Sequence, residues 1–204
     1  IRQKSEQVED DLKFLSTRWK SGHLDERELR RVRWVMWTLT TTSRALRDMA
    51  TKALYEFAIR RPEEFFRLAM ETNVVSDPYV PERVFAAAYG AVLTTWSDID
   101  AVELHDALPR FAREIYQTMF APSATAPTWH ALYQQYCLGI IAIARMVDPN
   151  CFSEDEAAYL LPPFSHLPNV FESIQQYDPA MIERAESAAI QMDFGNYTIG
   201  RLIP

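Results

Sequence analysis

Glycine is scarce, at 5 of 204 residues, against an average usage of about 7%. Phosphate-cradling loops, tight hairpins and dinucleotide folds need glycine where φ is positive or where backbone approaches a ligand. That scarcity argues for long helices and against a glycine-rich nucleotide site. Only two cysteines occur, Cys137 and Cys151, too few for a disulfide framework or a zinc site. Cys137 lies in an apolar run and reads as a buried small hydrophobe, and this cysteine usage fits a reducing compartment. No window approaches the roughly 18 consecutive apolar residues of a membrane span, and no signal peptide opens the chain. Strand-like alternation is nearly absent.

What is present is an ordinary globular composition, 48% hydrophobic and 24% charged. The net charge of −7 hides a gradient. Residues 1–61 hold 14 of the 21 Lys and Arg against 9 of the 28 Asp and Glu, a net +5. The remainder holds 7 basic and 19 acidic residues, a net −12. A basic end can attract an acidic partner or nucleic acid. The run from Arg27 to Arg33 reads first as a solvated helix face, with no nucleic-acid motif beside it. The chain opens Ile1-Arg2-Gln3 and closes Arg201-Leu202-Ile203-Pro204, which reads as a piece of a longer multidomain protein.

Along the chain, Val8, Leu12, Leu15 and Trp19 recur at helical spacing until Gly22. Asp25 and Glu28 have capping-box spacing before Leu29, Val32, Met36 and Leu39. Thr40 to Ser43 break that helix, and Ser43 caps the next, whose apolar set is Leu46, Met49, Ala50, Ala53, Leu54 and Phe57. Pro62 suits a first helical position ahead of Phe65, Phe66, Ala69 and Met70. Asp77 to Arg83 turns the chain into a helix lined by Val84, Phe85, Ala88 and Val92. Ser97 and Asp98 offer a cap for residues 99–107, Pro109 restarts a helix through Phe111, Ile115 and Met119, and Pro127 opens another with Leu132, Tyr136, Ile140, Ile141 and Ala144 inward. From Asp148 to Pro179 prolines punctuate a loop-rich stretch with a helical patch near Ser153 to Leu161, and a last helix follows from about Pro179 to Gln191.

The pattern predicts an all-α fold: an irregular HEAT- or TPR-like solenoid of stacked antiparallel helix pairs with a proline-rich segment near the C-terminus. Leu46 to Ala50 and Pro81 to Phe85 each begin the inner half of a pair, 35 residues apart. The expected organisation is a helical array over 1–147, a proline-rich excursion over 148–179 and a C-terminal helix and tail over 180–204.

Catalytic and cofactor motifs do not assemble. Gly195 and Gly200 have the Walker A spacing, but Arg201-Leu202 follows where Lys-Ser/Thr is required. His23, His105, His130 and His166 form no i, i+4 metal pair. His105 reads as a solvated helix position, and Asp10-Asp11 and Glu63-Glu64 as helix-start or exposed carboxylates. No catalytic, cofactor or metal residue is expected. Trp34 and Trp37 share a helix face; large aromatics of this kind either fill the core between helix pairs or stand exposed on a concave face as binding hot spots, and burial is the favoured reading.

The run Trp37-Thr38-Leu39-Thr40-Thr41-Thr42-Ser43-Arg44-Ala45-Leu46-Arg47-Asp48-Met49-Ala50-Thr51-Lys52-Ala53-Leu54 resembles the helical sensor region of bacterial antiviral STAND NTPases, prokaryotic relatives of NOD-like immune receptors. So do Asp77-Pro78-Tyr79-Val80-Pro81-Glu82-Arg83-Val84, Tyr89-Gly90, Met119 to Pro122, Thr128 to Leu132 and Met192 to Tyr197. Two departures stand out: Leu132-Tyr133-Gln134-Gln135-Tyr136 replaces a further Leu-Arg-Asp-Tyr-like block, and Pro81 is expected to delay its helix.

The resemblance implies part of a cytoplasmic ligand sensor that binds a conserved phage protein of the terminase large subunit or portal class. That binding would release the parent NTPase to oligomerise. ATP and Mg would belong to the NTPase module, which these residues do not include. A nucleic-acid-binding or general scaffold repeat is the other reading, using the +5 segment. The motif residues themselves, Arg47, Asp48, Asp77, Tyr79, Glu82 and Arg83, read as structural. Arg47-Asp48 and Glu82-Arg83 are placed to pair across a repeat boundary as a partly buried ladder, with Asp77 capping and Tyr79 pinning the turn.

Overall fold

The first apolar stripe forms α1, Arg2–Lys20, with Leu12, Leu15 and Trp19 buried. Gly22 ends it at φ 77°, the left-handed conformation that glycine adopts without a Cβ penalty. In this computed structural model, residues 2–162, 164 and 178–190 are described. The further helices are α2 Glu28–Thr38, α3 Arg44–Arg60, α4 Pro62–Glu71, α5 Tyr79–Thr95, α6 Val102–Met119, α7 Ala131–Val147, α8 Glu154–Ala158 and α9 Pro179–Ile190. A 3-10 turn over Thr72–Val74 follows α4. Among the described residues there is no strand, and no helix is long and apolar enough to cross a membrane.

The chain divides into two compact units, residues 1–167 and 168–204. In the first, α1, α3, α5 and α7 lie side by side, each packed most extensively on the next. A second set covers them: α2 on α3, α4 between α3 and α5, and α6 against α4 and α7. This is the all-α stacking of helix pairs found in helical-repeat solenoids. Phe57, Phe65, Phe85 and Phe120 are fully buried in a continuous core. In the second unit the described element is α9.

Local signals set several helix ends. The Ser43 hydroxyl accepts from the Leu46 N–H, Pro62 occupies the first turn of α4, and Ser153 with Glu156 forms a full capping box on α8. Of the proline-rich stretch, Phe152 and Leu160 are buried in the core of the first unit, which continues past residue 148 to 167. Pro163, Pro168 and the residues between them other than Phe164 lie outside the described residues, as do His166 and the Gly195 to Arg201 and Met192 to Tyr197 segments.

Four expected boundaries are corrected. Asp25 and Glu28 form no capping box: α2 has no side-chain cap, and the Glu28 carboxylate is buried against α1 instead. Pro81 does not delay α5, which begins at Tyr79. It falls in the first turn, where N–H groups have no intrahelical acceptor to lose. Pro109 does not restart a helix but lies inside α6, while Ile99 is outside it and 86% exposed. The stripe Leu104, Leu108, Phe111 and Ile115 is buried on both sides of Pro109. Burying each such side chain contributes about 1.5–3 kcal/mol, which together outweighs the roughly 3 kcal/mol an interior proline costs. Pro127 does not open α7; His130 caps it, its ring accepting from the Tyr133 N–H. Leu132 consequently faces out, 54% exposed, and Tyr133 faces in.

Two glycines mark close approaches between neighbouring helices. Tyr55 of α3 lies against Gly90 of α5, and Tyr89 of α5 lies against Gly139 of α7. A Cβ at Gly90 would meet Tyr55 Cδ2 at 3.3 Å, whereas one at Gly139 would run into the Tyr89 ring. Alanine gains about 1 kcal/mol over glycine inside a helix, and overpacking costs about 1–3 kcal/mol. Gly139→Ala is therefore expected to lower the urea midpoint, and Gly90→Ala to leave it unchanged or raise it.

Candidate functional site

The segments 39–43, 72–78 and 120–130 return the chain from the second helix set to the first, so α3, α5 and α7 begin along one edge. The structure brings all six motif residues to that edge. Arg83 Nη1 donates to Asp48 Oδ1 at 2.8 Å, joining α5 to α3. Arg47 does not pair with Glu82. Its Nη1 donates to the Thr41 carbonyl at 2.7 Å, and its guanidinium lies 5.5 Å from the Tyr79 ring centre. Asp77 does not cap α5, whose N-cap is Pro78 with no side-chain cap; its Oδ1 accepts from the Tyr79 N–H at 3.0 Å and so pins the turn ahead of the helix. Glu82, buried, faces His130 Nε2 at 3.2 Å and so ties α5 to the cap of α7.

Two further residues join this seam in roles that the sequence did not assign to them. His130 serves α7 through one ring nitrogen and Glu82 through the other. Gln134 is buried, and its amide donates to the Thr128 carbonyl at 2.6 Å. Arg47 reaches back six residues to a threonine carbonyl, and Gln134 reaches back the same six. Arg47 and Gln134 each stand four residues after the cap of their helix, Ser43 and His130. The departure from the Leu-Arg-Asp pattern thus keeps the loop clamp with a neutral donor. Tyr133 donates to Asn73 Oδ1; burial pushes its phenol far above the ordinary range.

Asp48 is half exposed and Arg83 about a quarter exposed, so their pairing sits nearer the surface limit, about 1 kcal/mol, than the buried limit of about 3–5 kcal/mol. Asp48→Ala is expected to lower stability by about 1 kcal/mol. In a double-mutant cycle, Asp48→Ala with Arg83→Ala should cost less than the two singles combined, by about 0.5 kcal/mol or more. Strict additivity in thermal denaturation would show that the two side chains do not interact.

A second ionic cluster joins α1 to α2. Glu28 accepts from Arg18 Nε at 2.9 Å, Arg31 Nη1 at 2.7 Å and Trp19 Nε1 at 2.6 Å. Asp25 accepts from Arg31 and Arg18 beside it. The hydrogen bond from Arg31, with the Arg27 N–H, holds the Asp25 carboxyl below its usual range. The Ser153 backbone N–H and Arg113 do the same for Glu156 at α8. Burial pushes the Cys137 thiol well up, away from the thiolate that nucleophilic chemistry needs. His105 is half-buried rather than solvated, its Nε2 within 2.8 Å of the Trp96 carbonyl.

Outside these networks the expected burial of Trp34 and Trp37 is overturned. They are 39% and 61% exposed, because α2 turns Val32, Val35 and Met36 to the core. Tyr79 and Trp129 are also more than half exposed. Among the described residues no three His, Cys, Asp or Glu side chains come together as metal ligands. No family model, no curated protein and no solved structure matches this chain.

Proposed function

We propose that this chain is part of the ligand-sensing helical region of an antiviral STAND NTPase. In this reading it recognises a conserved phage protein, of the terminase large subunit or portal class, in the cytoplasm. What supports the reading is the use to which the resembling blocks are put. Arg47, Asp48, Asp77, Tyr79, Glu82 and Arg83 are engaged with each other, with neighbouring loops and with the next helix. A scaffold held in that way leaves exposed side chains to recognise a partner, among them large aromatics both outside the blocks (Phe14, Trp34) and within them (Trp37, Tyr79, Trp129). Binding would act by population shift: the phage protein must bind the activated state of the parent protein more tightly than the resting one. ATP and Mg would act only in the separate NTPase module.

The test is affinity capture of individually expressed phage structural proteins by this protein. Retention of one of them supports the sensor reading, and failure with every terminase, portal and capsid protein tried discards it. Nucleic-acid binding has less support, because several basic residues of the +5 segment are engaged in ion pairs: Arg18 and Arg31 with Asp25 and Glu28, and Arg33 with Glu71.

A further inference from the structure

The outer face of α2 carries a stripe of one chemistry. Arg27, Arg30, Arg33, Trp34 and Trp37 are all exposed. At 100° per residue they fall within an arc of about 120°, and the run is about 15 Å long. The opposite arc holds Glu28, Val32, Val35 and Met36, all buried. No acidic residue of α2 lies within the stripe, though exposed Glu26 precedes it and Glu71 of α4 adjoins Arg33. Arg33 shares its charge with Glu71, while Arg27 and Arg30 form no ion pair among the described residues.

Arginine and tryptophan are the residues most enriched where truncation costs binding energy, and two exposed indoles with a row of guanidinium groups combine apolar area with fixed positive charge. We infer that this face of α2 docks a short acidic polypeptide segment bearing apolar side chains. Its carboxylates would meet Arg27 and Arg30, Arg33 being already paired with Glu71, and its apolar groups would cover Trp34 and Trp37. Charge complementarity selects that occupant over nucleic acid. A short acidic segment ends with the stripe, whereas a polyanion extending beyond it meets a chain whose residues 62–204 carry a net −12. The inference rests on the sensor reading only for the source of the segment, which would be an acidic stretch of the phage protein.

The experiment is a fluorescence-anisotropy titration of the protein against a labelled peptide alternating aspartate, glutamate and leucine. A lysine-leucine peptide of the same length and a single-stranded oligonucleotide serve as comparisons. Saturable binding of the acidic peptide is expected, weakening with salt and falling at least about tenfold in Trp37→Ala and in the double variant Arg27→Glu, Arg30→Glu. Trp34→Ala is the second aromatic variant, and circular dichroism confirms that each variant is folded. Absence of saturable binding overturns the proposal, as does binding that these variants leave unchanged. Tighter binding of the oligonucleotide at the same salt also overturns it. Self-association that disappears in Trp37→Ala would assign the face to a second copy and likewise overturn it. The titration uses no phage protein, so its failure and a failure of phage-protein capture are separate results.

Discussion

Replacing Glu28 by alanine is expected to lower the melting temperature by about 6–12 °C, from a loss of about 3 kcal/mol at roughly 2–4 °C per kcal/mol for a chain of this size. The Glu28 side chain is only 5% exposed, and it answers three donors from two helices. Without it, the Trp19 indole N–H has lost its acceptor beneath a fully buried ring, a desolvated donor costing about 1–3 kcal/mol. Arg18 and Arg31 are partly exposed, at 24% and 32% of their side chains. They can rehydrate in part, which keeps the loss near the lower end of the range for broken buried pairs. Glu28→Gln keeps an acceptor for one donor and should lose about half as much. A melting temperature unmoved in Glu28→Ala would mean that α1 and α2 are held by their apolar contacts alone.

Phe85→Ala is expected to cost about 3–5 kcal/mol in urea denaturation, the range for aromatic truncation in a packed core. Phe85 is fully buried. Its ring lies 5.8 Å from Phe111 of α6 and 4.7 Å, edge to face, from Tyr133 of α7. Phe111 in turn stacks on Phe66 of α4 at 4.2 Å. One side chain thus joins members of both helix sets, and its removal leaves a cavity whose walls belong to separate helices. Those walls cannot collapse without shifting the repeats. Phe85→Leu fills most of the volume and should lose less. A cost below about 1 kcal/mol for the alanine variant would show that the array repacks freely at this point.

The fold was legible in the sequence wherever the determinant was local. A 3.6-residue stripe, a serine before it or a proline at its first turn specifies a helix and its start without reference to the rest of the chain, as at Ser43, Pro62 and Ser153. The link between repeats was also partly legible, because matching blocks 35 residues apart put Asp48 and Arg83 at equivalent positions of neighbouring helices. The continuation at α7 was not. Gln134 departs from the repeating block, and only the shared six-residue reach to a threonine carbonyl shows that it takes the place of Arg47, while the pairing of His130 with Glu82 follows from packing alone.

Misread positions share a cause. Pro81 and Pro109 look like helix breakers by propensity, yet the first lies where no hydrogen bond is lost and the second is carried by a buried stripe on either side. Trp34 and Trp37 look like core residues by size. Glu28 looks like a surface cap by spacing. By itself the sequence determined the helices, several of their ends and most of the faces that are apolar, since these follow from short-range periodicity and backbone hydrogen bonding. Tertiary structure decided which neighbour each face meets. It set the Glu28 carboxylate against Trp19 and Arg18, joined Glu82 to His130 and left the tryptophans of α2 in solvent. The physical reason is that burial and ion pairing depend on which helices come together across tens of residues, and no local pattern contains that distance.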